Sequence, residues 1–270
     1  MAEEKNDIPI LLYHAIDPGG RQREKYTVDR KDLEKQLEYL RNNDFVTYTL
    51  DDFFKADRRN RKSQKDRKGV VLSFDDGNSS DYVLAFPILL QFNFKGVFFI
   101  TTGKIGTRDY VNWEQLKSMT EKGMSIQSHG VSHSFLSEMN RQQVGQEVVE
   151  SKEQSEKKLS TPVDFFSLPG GFGSLKVMET AKKIGFRAVC TSEPGLNPIH
   201  FGEEGFRVLK RFLITRQTSL QSFQAIVEGK RNTILACKGK DCFKTLAKNI
   251  IGSRRYYRLW AKYFKYLPRT

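Results

Sequence analysis

Two adjacent carboxylates, Asp75 and Asp76, and two histidines four positions apart, His129 and His133, are the residues whose types and spacing could do chemistry. Neighbouring side chains at a strand end point in different directions, so one carboxylate can bind a cation while the other stays beside it as a base. Without a cation, two carboxylates this close would repel and raise one pKa. The spacing of His129 and His133 puts two imidazoles within reach of one ion. Two histidines plus a carboxylate is a familiar open zinc set, with positions left for water and substrate. The plainer readings are an Asp-Asp-Gly turn that caps a helix, and two surface histidines behind a strand. His14 has the residue type for proton transfer near neutral pH, or for capping a buried strand. Pro169, Gly170 and Gly171 could turn backbone N–H groups toward a developing oxyanion, or form a simple loop. Trp113 could stack on a ring-shaped ligand or anchor a loop. His200 has no strand before it and is assigned no role.

These residues need a scaffold that brings them to one rim. Short β-rich runs alternate with helix-patterned ones: strands are expected at 8–13, 45–49, 70–74, 96–100, 124–128, 163–168 and 188–191. Helices are expected between them at 31–42, 80–92, 113–122, 141–159 and 175–184. The alternation predicts an α/β chain folded as a (β/α) barrel, distorted and seven-stranded, with catalytic groups where strands end. Residues 1–230 are read as this domain and 231–270 as a basic, aromatic-rich helical tail.

The chain has 270 residues, 29% of them charged, and a net charge of +13. The charge is local: residues 55–68 hold eight basic and two acidic residues, and 238–270 hold ten and one. The remainder is close to neutral and carries no nucleic-acid motif, so no nucleic-acid partner is expected. The tail composition suits an anionic membrane surface or a helix packed on the barrel with a solvated basic face. No apolar run is long enough to span a bilayer, and the acidic start lacks the pattern of a secretion signal, so a cytoplasmic location, peripheral to the inner membrane face, is expected. Cys190, Cys237 and Cys242 fit a reducing compartment better than a disulfide framework.

The order and spacing of Ser73-Phe74-Asp75-Asp76-Gly77, His129-Gly130-Val131-Ser132-His133 and Ser167-Leu168-Pro169-Gly170-Gly171 resemble the polysaccharide deacetylases, the NodB-homology domain of carbohydrate esterase family four. Leu11-Leu12-Tyr13-His14 is similar to the early histidine motif of the circularly permuted poly-N-acetylglucosamine deacetylase branch. The resemblance runs from about residue 8 to 225. It implies metal-assisted removal of N-acetyl groups from an amino-sugar glycan, either a polysaccharide or a lipid-linked intermediate. It implies Asp75 as base, His14 as acid, and Asp76, His129 and His133 as ligands of one divalent ion, zinc first, with cobalt or nickel as alternatives. Pro169 and Gly170 are the implied oxyanion contacts, and Trp113 is a separate candidate for stacking on a sugar ring. Three departures stand out: Ser167 where the family has an arginine that orients the base, Gly170 where it has an aromatic residue, and Gly130 where it has Ser or Thr. The missing arginine leaves a second reading, a catalytically inactive carbohydrate-binding relative.

Overall fold

The computed structural model describes residues 7–19, 25–58, 68–171, 173–198 and 205–239. The strands are β1 (Asp7–Tyr13), β2 (Ile16–Asp17), β3 (Val28–Asp29), β4 (Val46–Thr47), β5 (Gly69–Asp76), β6 (Val97–Ile100), β7 (Ser125–Ser128), β8 (Phe165–Ser167), β9 (Ala188–Cys190), β10 (Leu196–Pro198), β11 (Arg207–Leu209) and β12 (Phe212–Leu213). The helices are α1 (Arg30–Asn42), α2 (Leu50–Arg58), α3 (Phe86–Gln91), α4 (Trp113–Glu121), α5 (Arg141–Leu159), α6 (Leu175–Ile184) and α7 (Leu220–Val227).

Strands β1, β5, β6, β7, β8, β9 and β11 lie side by side in that order, each pair parallel. Near-continuous apolar runs such as Val70–Leu72 and Val97–Ile100 suit strands buried on both faces, as a parallel sheet flanked by helices demands. β12 follows β11 after only two residues and pairs in parallel with β1, Leu11 facing Phe212. The segment 207–213 therefore touches both edges of the sheet and nearly closes it into a barrel. On the helix-facing side of the sheet, Tyr13, Phe74 and Phe98 stack with centroids 5.1 and 4.8 Å apart.

Parallel strands ending on one side put the residues after β1, β5, β7 and β8 on a common rim. The expected strand 45–49 contracts to β4, which pairs with the start of β5. The expected helix 80–92 is two pieces: a π-helical turn over Asp81–Ala85, then α3. Pro87 near the start of α3 has no N–H to give to the preceding turn, which accounts for the break in the regular ladder. α2, β11, β12 and α7 were not anticipated. Residues 231–239 are helical, and Ile234 and Cys237 pack against the main core. The rest of the expected tail, 240–270, lies outside the described residues, as do 59–67 of the basic loop, Phe172 and His200.

Candidate metal and catalytic centre

β5 delivers Asp75 and Asp76, β7 leads into His129, and the loop beyond it carries His133. Asp76 and His133 hold φ of 84° and 61°, a left-handed backbone that non-glycine residues adopt at a cost and that clusters at functional sites. One ligand atom from each of Asp76, His129 and His133 lies within 4.8 Å of the others. Asp76 Oδ1 stands 3.0 Å from His133 Nε2 and 3.5 Å from His129 Nε2, yet it is buried and makes no hydrogen bond. Ligand atoms about 2.1 Å from a tetrahedral ion stand roughly 3.4 Å apart, so the trio fits a divalent cation. His129 Nδ1 lies 2.8 Å from the carbonyl of Ser167, which holds that nitrogen as the N–H and frees Nε2 for an ion.

Asp75 is 2% exposed and faces a guanidinium that the sequence reading missed. Arg211, between β11 and β12, is fully buried and grips Asp75 in a two-pronged pair: Nη1 to Oδ1 and Nη2 to Oδ2, both 2.8 Å. Its other donors reach Thr191 O at 2.9 Å, Ser73 Oγ at 3.3 Å and Ser167 Oγ at 2.8 Å. All five guanidinium N–H groups are thus used. Ser167 Oγ in turn donates to Asp75 Oδ2 at 2.9 Å. Ser167 therefore leaves a gap rather than a defect: a small hydroxyl makes room for an arginine arriving from the barrel seam. Burial pushes the Asp75 pKa up, but Arg211 and His129 outweigh it and hold the carboxylate ionised. The clue in the sequence was a basic pair, Lys210-Arg211, flanked by apolar residues in Leu209-Lys210-Arg211-Phe212-Leu213.

His14 directly follows β1, with its ring 5.2 Å from that of Tyr26. Burial lowers its pKa, while Asp76 and Asp75 pull it back up, which puts the imidazole electrostatically within the same site. Its buried Nδ1 makes no hydrogen bond. Gly170 has φ 71°, and a Cβ there would lie 2.6 Å from the Phe135 ring. Phe135 thus occupies space that the side chain of a larger residue at 170 would need. Pro169 is buried beside it. Trp113 opens α4 and packs against the main core, a role that core anchoring explains. Cys190 is buried with its thiol pushed up to about 12, and Cys237 is half-buried.

A nearly closed, parallel-rich (β/α) barrel with an Asp-His-His trio and a braced carboxylate at the strand ends defines the class. Residues 62–189 match the family model described as polysaccharide deacetylase. YxkH of Bacillus subtilis (strain 168), a polysaccharide deacetylase by provisional assignment, is 28% identical over 85% of this chain and 79% of its own length. The poly-β-1,6-N-acetyl-D-glucosamine N-deacetylase of Staphylococcus epidermidis is 28% identical over 47% of this chain, a match spanning 49% of that relative. Among solved structures, the Streptococcus pyogenes deacetylase PplD in complex with acetate aligns with a TM-score of 0.73 at 24% identity, covering 82% of this chain and 98% of that one. IcaB from Ammonifex degensii aligns at 0.69 and 24%, over 82% and 96%. At these identities the two structures establish the shared fold.

Proposed function

We propose that the protein is a divalent-metal-dependent hydrolase that removes N-acetyl groups from an amino-sugar-containing glycan. The observation that carries this reading is the cation-ready Asp76, His129 and His133 trio next to an ionised Asp75 braced by Arg211. When bound, a divalent ion, zinc first, would supply Lewis acidity at the acetyl carbonyl. Asp76 Oδ1 and the two Nε2 atoms would hold it. Asp75 takes the proton of the attacking water, with Arg211 and Ser167 fixing its carboxylate plane. In this reading the Gly170 backbone is assigned to the developing oxyanion, and His14 gives a proton to the departing amine nitrogen. An acetylated glucosamine polymer as substrate draws support from the relatives, among them a peptidoglycan-N-acetylglucosamine deacetylase of Bacillus cereus, 28% identical over 46% of this chain.

The inactive-relative reading rested on the absent arginine, and Arg211 supplies a guanidinium to the same carboxylate. The basic stretch 238–270 supports an accompanying contact with an anionic membrane surface, which would hold the enzyme near a lipid-linked glycan.

Elemental analysis of purified protein, paired with His133→Ala and Asp75→Asn, tests the core of the proposal. The expected result is a near-stoichiometric divalent ion in the wild type, lost in His133→Ala. Asp75→Asn keeps the ion and loses turnover of acetylated glucosamine oligomers. Full activity in both variants, or no ion after incubation with zinc or cobalt, refutes it.

A further inference from the structure

The loop between His129 and His133 is gripped from both sides. On one side, the carbonyls of Gly130 and Val131 accept the N–H groups of Thr102 and Gly103, both at 3.0 Å. On the other, the N–H groups of Val131 and Ser132 converge on a single atom, Oε2 of Glu147, at 2.9 Å each. Two successive N–H groups aimed at one point form an anion-binding concavity. Here the anion is the protein's own carboxylate, delivered from α5, one helix away. Gly130 makes the approach possible: its φ is 80°, and a Cβ would stand 3.2 Å from that same Oε2. Glycine at 130 and glutamate at 147 therefore belong to one arrangement. α5 is itself tied to β7 by the 2.6 Å contact between Ser151 Oγ and Ser128 Oγ.

We infer that Glu147 is a positioning residue for the His129–His133 ligand pair, its carboxylate fixing the loop in the conformation that brings His133 Nε2 to Asp76. This rests on the metal-site reading above. The charge-assisted bonds to Val131 and Ser132 restrain the backbone immediately before His133, whose φ of 61° the loop would otherwise relax. Glu147 touches no ion or substrate; it acts through the loop.

The test uses the full chain, stripped of metal and titrated with cobalt, with affinity read by chelator competition and geometry by the visible cobalt spectrum. Outer-shell partners of this kind are typically worth about 10–100-fold in metal affinity, and Glu147→Ala is expected to lose that much. It should also shift the cobalt spectrum and speed amide exchange at Val131 and Ser132 while the far-UV circular dichroism stays native. Glu147→Gln keeps a neutral acceptor and recovers most of the affinity, whereas Glu147→Asp is one methylene too short and behaves like Ala. Should Glu147→Ala fail to fold, Glu147→Gln decides, with a several-fold loss and a shifted spectrum expected. Wild-type cobalt affinity and spectrum in the folded variants overturn the inference alone. A wild-type protein that binds no cobalt overturns it together with the metal reading.

Discussion

At the scale of single residues, the site depends on charges held where water cannot solvate them. Arg211 and Asp75 are a buried ion pair, and removing one member strands the other. Arg211→Met is expected to destabilise the protein by about 3–5 kcal/mol. The double variant Arg211→Met with Asp75→Asn should cost less than the two single losses added together, as read from urea unfolding curves. Simple additivity would mean that the pair contributes nothing as a pair. Asp81 presents the opposite case. It is 1% exposed, and neither carboxyl oxygen makes a hydrogen bond. Burial first, and then the charges of Asp76 and Asp75, push its pKa well above the ordinary carboxylate value. The unfolded chain therefore gives up this proton first. From about pH 4 upward the native state binds the extra proton, and stability falls by up to about 1.4 kcal/mol per pH unit until the folded group titrates. Asp81→Asn removes that loss. Its melting temperature in chelator should match the wild type near pH 4 and exceed it increasingly toward pH 7; a constant difference would contradict this assignment.

At the scale of elements, the helices whose ends carry local signals were the legible ones. α5 runs from Arg141 to Leu159 as its pattern predicts, and Asn140 with Gln143 forms a reciprocal cap at its start, both bonds 2.9 Å. Because α5 carries Glu147, this cap bears on the metal loop as well as on the helix. Asn140→Ala is expected to cost about 1 kcal/mol, measured by thermal or urea unfolding. α2 was missed although Thr49 and Asp52 cap its start reciprocally, at 3.1 and 3.3 Å. Its Thr-x-x-Asp signal was readable but lay against a run that also resembled a strand. The split of the expected helix 80–92 was foreshadowed by Pro87. By contrast, two- and three-residue strands such as β11 and β12 have no period long enough to detect. They exist because the two sheet edges offer unpaired N–H and C=O groups.

At the scale of the whole molecule, the +13 charge is concentrated in two stretches rather than spread over the barrel. Among the described residues, no helix is long and apolar enough to cross a membrane. A surface contact through the basic stretch is therefore testable by flotation. The full chain should rise with vesicles containing anionic lipid, stay behind with neutral ones, and lose the effect at high salt or on removal of 240–270. Flotation indifferent to lipid charge would end that proposal.

The amino-acid sequence determined the (β/α) alternation, the rim on which Asp75, Asp76, His129 and His133 meet, and the resemblance to the polysaccharide deacetylases, because each is written in local periodicity and short motifs. It left open whether the base was braced. Arg211 lies 136 positions from Asp75, and only the closing of the barrel by β11 and β12 brings the two together. The grip of Glu147 on the metal loop is likewise a contact between elements, invisible to any local pattern. Ligand types and their order are chain properties. The buried partners that fix their geometry depend on which edges pair, which the packed tertiary structure decides.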